Sequence, residues 1–168
     1  DTLTGEKRDF APAGDEVHIY VCGVTPYAAS HVGHAMSYIV FDVLHRYLEY
    51  RGFKVRRVQN FTDIDDKLIT RAAEEGGTVE QLAEAYISDY FVDMAALNVR
   101  AADVYPRATR EIPKIVEMIS GLVESGHAYQ SVGDVYFRVR SDEDYGKLSH
   151  RSLDMMRAGA RVEAGAEK

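Results

Sequence analysis

The sequence predicts an α/β protein: a parallel strand–helix–strand unit, then a helical stretch that closes with a small β-hairpin. Three observations predict it. Residues 17–22 alternate apolar and polar or aromatic positions. The period changes to a helical one from Val32, and a second strand begins at Lys54, past the helix stop at Gly52. A strand, a long helix and a strand in immediate succession form a βαβ unit, whose right-handed crossover makes the two strands parallel.

Each element has its own signal. Val17-His18-Ile19-Tyr20-Val21-Cys22, bounded by Gly14 and Gly23, reads as the first strand. Ile39, Val40, Val43, Leu44, Tyr47 and Leu48 recur at helical spacing. Lys54 to Thr62 reads as the second strand, with Val55 and Val58 apolar. A short helix runs from Asp66 to Gly76-Gly77, and Thr78 with Gln81 forms a capping box for the next. Behind that box Leu82, Tyr86, Tyr90, Met94 and Leu97 make an apolar stripe. Thr109 to Ser125 is a further helix, with Ile112, Ile115, Val116, Ile119, Leu122 and Val123 expected inward and Pro113 in its first turn, where a missing N–H costs little. Gly126 ends it. Ala128–Gln130 and Asp134–Val139 flank Gly133 as a hairpin, with Val135, Phe137 and Val139 on one face. Residues 154–168 carry little pattern.

Composition narrows the class. The chain has 168 residues, 46% hydrophobic and 28% charged, which fits one globular domain or one with a small appendage and excludes a disordered, collagen-like or disulfide-stapled chain. A net charge of −7 argues against a nucleic-acid coat or a polybasic membrane binder, but leaves room for an enzyme that touches nucleic acid through a local patch. Cys22 is the one cysteine, so an internal disulfide is excluded and a reducing, cytoplasmic setting is expected. No apolar run is long enough to span a membrane, and the first residues do not read as a signal peptide. The chain begins at Asp1 without Met and stops at Lys168; both ends look cut, and a fragment is expected.

The chemistry concentrates in Cys22-Gly23-Val24-Thr25-Pro26-Tyr27-Ala28-Ala29-Ser30-His31-Val32-Gly33-His34, between the first strand and its crossover helix. Ligands of open α/β sheets bind beyond the carboxyl ends of the strands, and a helix N-terminus there attracts phosphate. His31 and His34, three apart, face one side of the first turn, and Gly33 leaves no side chain in the way of a flat ring or a phosphate. Two imidazoles so placed can donate hydrogen bonds to phosphate oxygens as charge builds, which suits attack on an α-phosphate with pyrophosphate leaving. The same spacing also fits surface polar residues or half of a metal site. Cys22 reads either as a small buried hydrophobe or as one zinc ligand, and one ligand is not a site. His18, His45, His127 and His150 have no ligand spacing. Thr62 and Asp63, at the end of the second strand, are expected to reach the same crevice. Asp63, Asp65 and Asp66 fit a magnesium site or, better for the last two, the cap of the next helix. Arg46, Arg51, Lys54, Arg56 and Arg57 read as a solvated surface. From the residues alone the best reading is an adenylyl-transferring enzyme with a nucleotide-binding βαβ unit.

Taken together, Tyr20-Val21-Cys22-Gly23-Val24-Thr25, His31-Val32-Gly33-His34, Phe41-Asp42-Val43-Leu44 and Val58-Gln59-Asn60-Phe61-Thr62-Asp63-Ile64-Asp65-Asp66-Lys67 resemble the cysteinyl-tRNA synthetases, a family of class I aminoacyl-tRNA synthetases. Thr2-Leu3-Thr4, Pro106-Arg107-Ala108-Thr109, Gly133-Asp134-Val135-Tyr136-Phe137, Tyr145-Gly146-Lys147-Leu148-Ser149 and Arg157-Ala158-Gly159-Ala160-Arg161-Val162 extend the likeness over essentially the whole chain. The resemblance implies a Rossmann-like HxGH half-fold in residues 1–66, then a helical linker and the start of the connective insertion in 67–168. It implies that His31, Gly33 and His34 bind ATP, supplied with Mg2+, and that the two histidines are catalytic. It further implies that Cys22, Gly23 and Thr62 bind cysteine and that Cys22 is the first of four ligands to Zn2+. The implied reaction makes cysteinyl-adenylate from L-cysteine and ATP, then passes cysteine to the 3′ end of tRNA(Cys). The other zinc ligands and the Lys-Met-Ser-Lys-Ser loop of the family are not in these 168 residues, so the chain is expected to be an amino-terminal part, inactive by itself. Thr25-Pro26-Tyr27 also occurs in the cysteine ligase of mycothiol synthesis, which stands as the alternative enzyme; a non-catalytic nucleotide-binding module is the alternative of another kind.

Overall fold

Strand β1 (Glu16–Val21) pairs in parallel with β2 (Lys54–Gln59), Glu16 opposite Lys54 and Val21 opposite Gln59. Helix α1 (Val32–Tyr50) makes the crossover, so the βαβ unit read from the sequence is present with its strands parallel. The computed structural model describes residues 1–153. They divide into two compact units, 11–112 and 1–10 with Pro113 onward.

In the first of these units, the inner side of α1 is Tyr38, Asp42, His45 and Leu48. The apolar positions that mark its period lie mostly outside: Val40 and Val43 are 60% and 59% exposed, with Met36, Tyr47 and Tyr50 beside them. Buried polar partners turn the helix this way. Asp42 accepts from Arg46 Nε at 2.7 Å and from the Arg100 N–H at 3.1 Å, and the Arg57 guanidinium stands 3.7 Å away. Arg57 is therefore not on a solvated surface as expected. It is 2% exposed, and it donates to the Arg100 carbonyl. Arg46 likewise is tied down, to Asp42 and the Asn98 carbonyl.

A third segment joins the sheet that the sequence did not mark. Residues 103–107 run parallel to the end of β2, with Val58 bridged to Val104 and Phe61 to Arg107. Gln59 N–H donates to Val104 O at 3.0 Å and Phe61 N–H to Pro106 O at 2.8 Å. Two bridges and a proline give no alternating apolar run to read.

Helices α2 (Asp66–Glu75) and α3 (Val79–Ala96) follow, α2 capped by Asp65 and α3 by the expected Thr78–Gln81 box. Asp65 accepts from Lys67 N–H at 2.9 Å, and Asp66 lies in the first turn, so the capping reading holds for both. The buried face of α3 is Ala83, Ile87, Tyr90 and Met94, which shares Tyr90 and Met94 with the expected stripe. Tyr90 is the centre of the core: Tyr38 and Phe61 each meet its ring edge-on with centroids 5.3 Å apart, and Gln59 Nε2 donates to its hydroxyl at 2.6 Å. Burial pushes the Tyr90 phenol up to about 12.

Helix α4 (Ala108–Glu124) begins one residue before Thr109, and Pro113, its sixth residue, lies inside the helix beyond the first turn rather than in it. None of its residues is buried: Ile112, Ile115, Val116, Ile119 and Val123, expected inward, are all exposed among the described residues. In the second unit, β3 (Ala128–Ser131) and β4 (Asp134–Phe137) form the hairpin, antiparallel, with Tyr129 opposite Tyr136. The turn residues Val132 and Gly133 have φ of 48° and 90°, positive at both central positions as a type I′ turn requires. Val135 and Phe137 are each partly open to solvent. The stretch 157–162 that contributed to the resemblance lies outside the described residues.

Candidate active site

The loop between β1 and α1 brings its residues to the carboxyl ends of the two strands. His31 is the N-cap of α1. Its Nδ1 accepts the Gly33 N–H at 3.1 Å, and His34 Nδ1 accepts the His31 N–H at 3.3 Å. This is a capping box built from two histidines, each satisfying one orphan donor of the first turn. A backbone N–H can only donate, so both Nδ1 atoms hold lone pairs and both neutral rings carry their proton on Nε2. The rings stack, with centroids 3.8 Å apart and 15° between planes. Burial first, and His31 second, hold the His34 imidazole below its ordinary value of 6.5.

Gly33 serves this cap. A Cβ there would stand 3.0–3.1 Å from the His31 ring atoms that reach over it, so glycine gives the ring its room. The sequence reading gave that space to a flat ring or a phosphate; here the His31 ring occupies it.

At the strand ends, Cys22 is exposed, and its carbonyl lies 3.5 Å from the hydroxyl of buried Tyr38. Gly23 and half-buried Thr62 are brought together by residues between them. Thr62 N–H donates to Val24 O at 3.1 Å. Asn60 Oδ1 accepts the Gly23 N–H at 2.7 Å, and Asn60 Nδ2 is 3.4 Å from Thr62 Oγ1. A Cβ on Gly23 would fall onto the backbone carbonyl of Asn60, so only glycine lets the two strand ends lie this close. Asn60 and Tyr38 are site-bordering residues that the sequence reading passed over. Asn60 stood within the stretch Val58 to Lys67 that carries the resemblance, which says nothing of what its amide touches.

Asp63 does not face the crevice as expected. It is 5% exposed, and its carboxylate accepts from the Thr109 N–H at 3.0 Å and the Thr109 hydroxyl at 2.6 Å. It caps α4 from a distant point in the chain. Among the described residues no three of His, Cys, Asp or Glu come together to hold a metal ion. Magnesium on the 63–66 acids is thereby replaced by two helix caps. The donor set for zinc is not completed here either: Cys22 offers one accessible sulfur. A cleft of about 310 Å³ adjoins the loop, lined by Tyr27, Asp66, Lys67, Thr70, Arg71 and Glu74, with Lys67 Nζ 5.2 Å over the Tyr27 ring. No helix among the described residues is long and apolar enough to cross a membrane.

Two parallel strands joined by a helix that opens with His-x-Gly-His at their carboxyl ends define a nucleotide-binding domain of the class I aminoacyl-tRNA synthetase kind. The chain belongs, more narrowly, to the family of class I (C) tRNA synthetase catalytic domains, whose model matches residues 10–168. It is 56% identical over its whole length to a cysteine–tRNA ligase of Dehalococcoides mccartyi, covering 37% of that protein. It is 52% identical to those of Persephonella marina and Aquifex aeolicus, covering 35% and 34% of them. The chain thus spans about a third of the length of the curated relatives it matches. Among solved structures it is similar to Mycobacterium tuberculosis methionyl-tRNA synthetase in complex with methionyl-adenylate. The TM-score is 0.64 at 24% identity, over 69% of this chain and 23% of that one, a likeness of fold.

Proposed function

We propose that this chain is the amino-terminal part of a cysteine–tRNA ligase, which joins L-cysteine to ATP as cysteinyl-adenylate and then to the 3′ end of tRNA(Cys). Residues 1–66 form the first half of its catalytic domain, and 67–168 the helical linker and the start of the connective insertion. The names of its relatives support this reading, and the histidine capping box carries it. With Nδ1 of both rings held by backbone N–H groups, His31 and His34 each keep one Nε2–H for a ligand at the α1 N-terminus. In adenylation the cysteine carboxylate oxygen bonds to the α-phosphorus while the bond to the bridging oxygen breaks, and pyrophosphate leaves with the electron pair. The charge that gathers on phosphate oxygens is stabilised by the two Nε2–H donors and by the free N–H groups of the helix start. Mg2+ accompanies ATP as part of the substrate. Gly23 and Thr62 border the cysteine pocket, and Cys22 contributes one thiolate ligand to zinc there, the rest of the set lying beyond the described residues. The compartment is the cytoplasm.

The test is pyrophosphate exchange into ATP by the full-length gene product. Exchange is expected with cysteine and not with serine. Exchange driven equally by serine would falsify the reading, and transfer of cysteine to glucosaminyl-inositol in preference to tRNA would assign the mycothiol-pathway ligase instead.

A further inference from the structure

We propose that Asn60 is the positioning residue of the cysteine pocket, tying the Gly23 end of β1 to the Thr62 end of β2 through its side-chain amide. The inference rests on the assignment of Cys22, Gly23 and Thr62 to amino-acid binding given above. Its geometry is fixed at both ends of the amide. The 2.7 Å contact from Gly23 N–H can be accepted only by an oxygen, so Oδ1 is the atom that faces β1 and Nδ2 the atom that faces Thr62. Nδ2 then donates to Thr62 Oγ1 at 3.4 Å, the longer of the two bonds.

Three consequences follow for the pocket. The Gly23 N–H is used inside the protein and is not a donor to substrate. The Thr62 oxygen accepts a hydrogen bond from Asn60, so its own O–H is left to donate to an acceptor in the pocket, of which the substrate carboxylate is one. The separation of the two strand ends is held without slack, because Gly23 has no Cβ and rests against the Asn60 carbonyl while Thr62 N–H binds Val24 O. A thiol-sized side chain is selected partly by how far apart such walls stand, and a misplacement of about 1 Å is enough to matter. Asn60 touches neither nucleotide nor reacting atoms in this account; it acts through Gly23 and Thr62.

Steady-state pyrophosphate exchange by the full-length gene product separates this role from a general structural one. Asn60→Ala removes both bonds and is expected to raise KM for cysteine about tenfold, with KM for ATP within about twofold of wild type. Asn60→Asp keeps an acceptor for the Gly23 N–H but puts a second acceptor where Nδ2 donated to Thr62, so it is expected to recover only part of the loss, with KM for cysteine between those of wild type and Asn60→Ala. The Gly23 amide, followed by hydrogen exchange, is expected to lose protection in Asn60→Ala and keep it in Asn60→Asp. An unchanged KM for cysteine in Asn60→Ala, both KM values rising together, or an aspartate no better than alanine overturns the proposal. If wild type itself shows no cysteine-dependent exchange, the functional reading is what fails, and the assignment of Asn60 to a cysteine pocket falls with it. If wild type uses cysteine but Gly23 protection is the same in Asn60→Ala, the tie alone is refuted.

Discussion

His34 has two tasks on one ring: Nδ1 caps the helix, and under the proposed function Nε2–H is a donor to phosphate. His34→Ala in the full-length gene product is expected to lower the adenylation rate by about 10²–10³, the usual worth of one transition-state donor, while ATP binding changes far less. Unchanged turnover with only a raised KM for ATP would contradict it. The ring's pH behaviour follows from the same geometry. A second proton must go to Nδ1 and so must displace the His31 N–H. Burial and the His31 ring also disfavour the cation, so the folded pKa lies below 6.5. The unfolded chain then binds more protons than the folded one between those values, and stability falls as pH falls through that window. The cap is whole above pH 6.5 and is lost as the pH drops from there through the folded pKa. The His34 ring resonance in an NMR titration is expected to show a midpoint below 6.5; a midpoint above it would remove the cap from the account.

At the scale of elements, α4 owes its start to Asp63 rather than to a neighbour in sequence. Two charge-assisted bonds from Thr109 end on one buried carboxylate. Asp63→Ala is expected to cost about 1–2 kcal/mol, the upper part of the range for a lost N-cap, read as a lower denaturation midpoint of the full chain. A change below about 0.5 kcal/mol, the scatter of neutral surface substitutions, would show that the cap is idle. This contact also shows what kind of information the sequence carried. Period and turn residues placed β1, α1, β2, α2, α3, α4 and the hairpin, because each is a local signal. They could not tell that Arg57 is buried, since its partners Asp42, Arg100 and Asp103 stand on other elements. The same holds for the roll of α1: its apolar positions gave the helical period, but Asp42 took the inner face, where the Arg100 N–H and the Arg57 guanidinium meet it.

For the whole molecule, the site is half legible for a physical reason. That His31 and His34 share the first turn of α1 was readable, since their spacing is local; that they cap it was not read. The pairing of Gly23 with Asn60 was not, because thirty-seven positions separate them. The proposed zinc belongs to this scale too. One sulfur with water around it binds zinc weakly, since affinity needs several deprotonated ligands held together. Calorimetric titration of the 168-residue chain is expected to show no submicromolar zinc site; a stoichiometric one that disappears in Cys22→Ser would mean that the chain completes the set by other means.

The late third segment of the sheet has a consequence in time. Synthesis is vectorial, and β2 has emerged by residue 59, while its partners Val104 and Pro106 and the Thr109 that satisfies Asp63 come some fifty residues behind it. At about 5–20 residues per second, the outer edge of β2 stays unpaired for roughly 3–10 s on the ribosome. During that interval buried Arg57 has Asp42 but lacks Arg100 and Asp103, and Asp63 lacks Thr109, so the nucleotide half-fold cannot close before α3 has been made. Nascent chains stalled with residue 100 outside the exit tunnel are expected to be cut by protease within β2, and those stalled with residue 112 outside to resist. Equal resistance at both lengths would mean that the βαβ unit closes without its third segment.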